Sequence, residues 1–128
     1  YEINERIAAD GKIVTDLVSE VTSNLVRDIL EQEKFDSVAI CFLHSYLDPI
    51  HERAMSDIIS ALYPEMPITC SCDVAREFRE YERASTTTLA AYVQPVVAGY
   101  INRFSEELAR RGFQGKFSIM QSNGGRLP

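Results

Sequence analysis

Three stretches of this sequence combine residue types that can hold or transform a small molecule. His44 and Ser45 stand side by side at the end of an apolar run. Between Arg76 and Arg83 cations and carboxylates alternate, with Phe78 and Tyr81 among them, and the chain closes on Ser122-Asn123-Gly124-Gly125 before Arg126. In the charged stretch, Glu80 or Glu82 could serve as a carboxylate. Arg79 or Arg83 could clamp an anionic substrate, because a guanidinium offers paired, charge-assisted N–H groups. Gly124-Gly125 removes Cβ obstruction, tolerates positive φ and exposes backbone N–H groups to an anion.

Each stretch also has a plainer reading. Alternating charges at Arg76/Glu80 describe a solvated helical turn with ion pairs of about 0.2–0.5 kcal/mol each. Asn-Gly is a common sharp turn. His44 beside Ser45 does not make a triad by spacing alone, and His51 in a first helical turn is suited to hydrogen bonding. Thr86-Thr87-Thr88 after Ser85 suits a helix entrance with hydroxyl caps, or hydroxyls that contact phosphate. Neither the phosphate loop with Lys and Ser/Thr nor the dinucleotide glycine pattern occurs.

The elements that must position these residues follow from periodicity. Residues 1–7 alternate apolar and polar, and Asp10-Gly11 supplies a turn before Lys12-Ile13-Val14, which predicts a β-hairpin. Leu17, Val18, Val21, Leu25, Val26, Ile29 and Leu30 then form one face of a helix ending near Lys34, with Thr15 or Asp16 as N-cap. Val38 to Leu43 is a continuous apolar run that reads as a strand covered on both faces. Asp48-Pro49 opens a second helix with its stripe at Ile50, Ala54, Met55, Ile58, Ile59 and Leu62, and Ile68 to Cys72 reads as a second strand. A long helical pattern runs from Leu89 to Leu108 and stops at Gly112, with a kink or break expected at Pro95. Lys116 to Gln121 is the last predicted strand.

The fold class is therefore α/β: an N-terminal hairpin, then αβαβαβ with a mostly parallel, layered sheet, in a single domain over 1–128. In an open parallel sheet ligands bind beyond the carboxyl ends of the strands. The loops carrying His44-Ser45-Tyr46, Asp73 to Arg83 and Ser122 to Gly125 should converge there. The cleft-rim candidates are His44, Ser45, Arg79, Glu80, Glu82, Arg83, Ser122, Asn123, Gly124 and Gly125, with no catalytic residue and no metal ligand assigned.

Composition narrows the class of function. The 128 residues carry a net charge of −6, 45% hydrophobic and 25% charged residues, the balance of a globular domain. No basic patch dominates, which argues against binding nucleic acid, and no run of about 18 apolar residues argues for a membrane span. Cys41, Cys70 and Cys72 cannot all pair and read as reduced structural residues in a cytoplasmic protein. A metal reading of Cys70-x-Cys72 needs two further ligands, and His44 and His51 lie elsewhere. The chain starts at Tyr1 without Met and reads as an internal portion of a longer protein.

Several motifs in order resemble one family. Phe42-Leu43-His44-Ser45-Tyr46 and Pro49-x-His51-Glu52 are similar to the Leu-His-Ser-Tyr…Pro-x-His-Glu segment of the hydantoinase A/5-oxoprolinase family. Arg79-Glu80-Tyr81-Glu82-Arg83-x-Ser85-Thr86, Ala91-Tyr92-Val93-x-Pro95 and Met120-Gln121-Ser122-Asn123-Gly124-Gly125 continue the likeness, as does Glu5-Arg6-Ile7…Gly11 at the start. The resemblance spans essentially the whole chain. It implies a portion of an actin/hexokinase-like (ribonuclease H-like) ATPase that opens hydantoin, N-methylhydantoin or 5-oxoproline rings. ATP would phosphorylate the ring amide oxygen and make the carbon electrophilic to water. Related members are subunits of ATP-dependent acetone or acetophenone carboxylases.

The resemblance further implies ATP and Mg²⁺ in the intact enzyme and neither on this portion alone, since the family's Asp-x-Gly-Gly-Thr-x-Thr-Asp motifs are absent from the sequence. The implied partners are the rest of the enzyme chain, a hydantoinase B-like subunit and a small cyclic amide, with no nucleic acid and no membrane. A non-catalytic interaction or scaffold module is the competing reading.

Overall fold

The computed structural model describes residues 1–120 and 126–127. It divides into two compact units, Tyr1–Pro95 and Val96–Pro128.

The first unit opens with the expected hairpin. β1 (Arg6–Ile7) pairs antiparallel with β2 (Ile13–Thr15). Gly11 takes φ +81°, a conformation that costs glycine little, and Asp10 Oδ1 accepts the Lys12 N–H at 3.1 Å. Helix α1 covers Ser19–Gln32 and helix α2 Ile50–Leu62. Between and after them, β3 (Val38–Ile40) and β4 (Ile68–Cys70) pair in parallel, with Val38 opposite Ile68 and Ile40 opposite Cys70. A short helix α3 (Ser71–Val74) leaves β4, and the long helix α4 (Glu80–Arg110) begins in this unit. Leu17, Val26, Ile40, Met55, Ile59, Cys70 and Cys72 form the core, with Leu30, Phe42 and Leu62 against it.

Several local expectations shift by a residue or more. Neither Thr15 nor Asp16 caps α1: Thr15 joins the hairpin ladder opposite Arg6, and the helix begins after Val18 without a side-chain cap. The inner stripe of α1 is rotated, because Thr22 is buried while Val18 and Val21 are exposed. In α2, Ile50 faces out and His51, Glu52, Met55 and Ile59 face in. Asp48 still acts at the entrance, its Oδ1 accepting the Ile50 N–H at 3.0 Å. The second predicted strand is shorter than Ile68 to Cys72, since Ser71 and Cys72 turn into α3.

The predicted αβαβαβ sheet is the main correction. The parallel pairing is confined to β3 and β4 among the described residues. In the second unit β5 (Ile119–Met120) pairs antiparallel with β6 (Arg126–Leu127). The five intervening residues suffice for a hairpin, whereas a parallel partner would need a crossover. The result is a mixed α/β structure with small sheets.

Pro95 does not break α4, which runs through it to Arg110. A proline inside a helix leaves the carbonyl four residues earlier without its N–H partner. Here that carbonyl belongs to Ala91, and Ser37 Oγ donates to it at 2.7 Å. A side chain from the start of β3 thus satisfies what Pro95 leaves open. In the second unit Gly112 takes φ +79° and closes the helix, with Phe113 N–H bonded to Leu108 O and Gly112 N–H to Ala109 O, a Schellman end. Phe104 stacks with Tyr100 and lies 5.2 Å from the Phe117 ring.

Truncating Ile59 to Ala should cost about 2–5 kcal/mol by urea unfolding, because this fully buried side chain leaves a cavity. Val21→Ala, on the outer face, should change stability by less than about 0.5 kcal/mol.

Candidate functional site

The carboxyl ends of β3 and β4 meet over one buried carboxylate. Glu52 lies in the first turn of α2, one turn before Met55 on the inner face, and is 0% exposed. Its Oε1 accepts the Phe42 N–H at 2.9 Å, just past β3, and the Ser71 hydroxyl at 2.6 Å, just past β4. Oε2 accepts the Cys72 N–H at 2.9 Å. A buried carboxylate needs several donors to offset its lost hydration, and the helix N-terminus adds a favourable field.

The network continues to a buried cation. Arg83, 1% exposed in the first turn of α4, donates from Nη1 to Ser45 Oγ at 2.6 Å and from Nη2 to Phe42 O at 2.8 Å. Its guanidinium carbon lies 5.6 Å from the Tyr46 ring centroid, a cation–π distance. Ser45 Oγ and Ser71 Oγ are 3.1 Å apart. Arginine can only donate, so Ser45 accepts from it and passes its own proton toward Ser71, which donates to Glu52. Every hydroxyl hydrogen in the series is thereby oriented, and the Arg83 and Glu52 charges compensate each other through two serines.

The turn after β3 makes this geometry possible. His44 has φ +59°, left-handed backbone that histidine adopts more readily than most residues. This reversal carries Ser45 inward, with Leu47 N–H bonded to His44 O at 2.9 Å. His44 Nδ1 and Arg83 Nε are buried side-chain nitrogens without a hydrogen-bond partner among the described residues. Beside this cluster, buried His51 fastens the N-terminal segment to α2: Nδ1 lies 2.7 Å from Glu5 Oε2 and Nε2 3.2 Å from Asp16 Oδ1. The structure thus places Asp16 on His51 and not at a helix cap.

Of the rim candidates, Ser45 and Arg83 come together, but inside the protein. His44 is half-buried on the same turn. Arg79, Glu80 and Glu82 are exposed at the entrance of α4, where Arg79 and Glu82 approach to 3.7 Å. Ser122, Asn123, Gly124 and Gly125 lie outside the described residues. Thr86 and Thr87 sit within α4 and donate back to the carbonyls of Glu82 and Arg83, so they do not cap its entrance. Glu52 and Ser71, which hold the site together, were not among the candidates: Glu52 entered only as the last residue of the Pro49-x-His51-Glu52 resemblance, and Ser71 entered no motif. The signal for Glu52 was positional, since 52, 55 and 59 share one helical face.

Chemical character at this corner is set by burial. Cys70 and Cys72 are free thiols. The Cys72 thiol is pushed up to about 12, first by burial and then by the adjacent Glu52 carboxylate. On the outer side Arg53 donates to both oxygens of Asp73, which holds that carboxyl below its usual range. No group of three His, Cys, Asp or Glu side chains is placed to share a metal ion among the described residues, and Arg83 is committed to Phe42 and Ser45.

Two measurements probe this arrangement. Arg83→Met should cost about 3–5 kcal/mol, because it leaves the Glu52 charge buried without its counter-charge. In a double-mutant cycle, Arg83→Met with Glu52→Gln should lose less than the sum of the single changes, by about 0.5–3 kcal/mol. The folded Cys72 thiol titrates above its ordinary value of 9.0, so the stability it contributes is complete below pH 9 and is lost as pH rises toward 12. Urea unfolding between pH 8 and pH 11 should therefore show a decline that Cys72→Ala makes shallower.

Comparison with known proteins places this geometry. Residues 1–63 match the hydantoinase/oxoprolinase N-terminal region and residues 83–128 match the hydantoinase/oxoprolinase model. An uncharacterized protein of Methanocaldococcus jannaschii is 42% identical over 98% of this chain. The caprolactamase subunit alpha of Pseudomonas jessenii is 32% identical over 98% of it. The crystal structure of the ATP-dependent caprolactamase from Pseudomonas jessenii superposes with a TM-score of 0.86 over 98% of this chain. The nucleotide-free structure of acetone carboxylase does so at 0.77 with 26% identity, again over 98%. In every one of these cases the chain spans only 18% of the other protein's length. The chain belongs to the hydantoinase/oxoprolinase family.

Proposed function

We propose that this chain works as part of an ATP-dependent enzyme that opens cyclic amides, and that within it the chain is a scaffold for one wall of the substrate cleft. The observation that carries the reading is the superposition of 98% of the chain on an ATP-dependent caprolactamase at 32% identity, since caprolactam is itself a cyclic amide. In this reading the chain belongs to the first half of an actin/hexokinase-like ATPase fold. ATP and Mg²⁺ are held by other parts of the enzyme in this reading.

The chain's own residues do positioning work. Glu52 clamps the ends of β3 and β4, and Arg83 fixes the Ser45 turn. His44, on the turn after β3, and Arg79, Glu80 and Glu82, at the entrance of α4, are the proposed rim residues, with Ser45 and Arg83 buried beside them. Among the described residues no helix is long and apolar enough to cross a membrane. Net acidity and three unpaired cysteines favour a reduced, cytoplasmic setting. A hydantoinase B-like subunit is the proposed further partner. The likeness to acetone carboxylase supports a second reading, a subunit of an ATP-dependent ketone carboxylase.

Phosphate release by the full-length protein containing this chain should rise at least tenfold when caprolactam, 5-oxoproline or hydantoin is added with ATP. A rise with acetone and bicarbonate alone would favour the carboxylase reading, and no rise with either class would reject both. ATP hydrolysis by the 128-residue chain alone would overturn the scaffold role.

A further inference from the structure

The loops that follow β3 and β4 border one open cavity. Tyr46, on the turn after β3, and Arg76, Glu77, Phe78 and Arg79, between α3 and α4, surround about 480 Å³. Beyond the carboxyl ends of parallel strands is where such folds take up ligands. Two of these five residues are cations whose donors are largely unspent. Arg76 gives its Nε–H to the Cys72 carbonyl at 3.3 Å, and neither of its amino groups has a hydrogen bond among the described residues. Asp73 feels the Arg76 charge, but both of its oxygens are taken by Arg53. The Arg79 side chain makes no hydrogen bond among the described residues. Glu82 stands 3.7 Å from its Nη1, and its guanidinium carbon lies 5.8 Å from the Phe78 ring centroid. Tyr46, by contrast, is held, with its ring 5.6 Å from the buried Arg83 guanidinium and edge-on to His44 at 5.9 Å.

We propose that this cavity is a subsite for a single carboxylate carried by the substrate, bound by Arg76 and Arg79. The ligand's chemistry follows from the groups that await it. A guanidinium presents its N–H groups in a planar fork that matches a carboxylate. Arg76 is already anchored through Nε, so less freedom is lost when its remaining donors bind. Two guanidiniums beside the Glu77 carboxylate leave one net positive charge, which suits a monoanion and disfavours a polyphosphate. Phe78 and Tyr46 supply flat apolar surface for the rest of a small ring, and the volume is that of a small-molecule site. The inference rests on the reading that this chain forms one wall of the substrate cleft. It sharpens that reading into a selectivity: a cyclic amide with an acid group is preferred over the same ring without one.

The test is calorimetric binding to the full-length protein containing this chain, with two matched pairs of probes at neutral pH. One pair is 5-oxoproline and its neutral carboxamide, the other hydantoin-5-acetic acid and its carboxamide. In at least one pair the acid should bind at least tenfold more tightly than the amide. Arg76→Gln and Arg79→Gln should each reduce that preference about threefold, and the double variant should abolish it while the amide binds as before. Arg79→Lys, which keeps the charge, should recover part of the loss. If Arg76→Gln lowers the melting temperature through its lost bond to Cys72, the Arg79→Gln result alone decides. Equal binding of acid and amide in both pairs overturns the proposal, as does a preference that survives the double variant. Competition by inorganic phosphate or ADP that the double variant removes would assign the arginines to the nucleotide and overturn it too. An acid preference lost with the arginines, but without cyclic-amide-dependent phosphate release, would keep this inference and reject the proposed activity. Phosphate release with no acid preference would do the reverse.

Discussion

Glu52 has no contact with solvent, and its two oxygens are the meeting point of three donors from two strand ends. The two strands are only three residues each, too short to fix the direction of the chain that leaves them. The carboxylate does so instead. It holds the Phe42 amide after β3 and the Ser71 and Cys72 groups after β4 at a common point, and α2 carries that point between them. Both loops that leave the sheet's carboxyl edge are anchored by the helix that connects the strands.

A carboxylate in this position requires compensation, and the rest of the corner is arranged to provide it. Arg83 supplies the opposite charge from the start of α4, and two serine hydroxyls transmit it because each accepts one hydrogen bond and donates another. Such a series holds only if every member stays in place, so the turn at Ser45, the start of α3 and the entrance of α4 are fixed together. Arg79, Glu80 and Glu82, with exposed side chains at the entrance of α4, follow from this base. A buried Arg–Glu pair often adds little net stability compared with apolar residues; its value here lies in the specific geometry it imposes on three segments.

The same economy of side chains appears at Pro95. The residue removes one helical hydrogen bond, and Ser37 satisfies the freed Ala91 carbonyl from the beginning of β3. The helix continues because a partner distant in sequence is available. That tie also draws α4 against the face of β3 that carries Ala39 and Cys41.

Local order determined much of what the sequence shows. The Asp10-Gly11 turn, the helices around Leu25 and Ile58, the strand at Val38 and the helix stop at Gly112 all rest on near-neighbour sterics and periodicity, which do not depend on the rest of the fold. The ordered motifs were enough to identify the family. Tertiary structure decided which strands pair, why Pro95 is tolerated, and what the motif residues do. Ser45 and Arg83 are both plain in the sequence as chemical groups, yet their partners lie 38 positions apart. Glu52 and Ser71 carried no local sign of their part. Hydrogen-bond partners and burial are properties of segments brought together across the chain, and no periodicity along it encodes them.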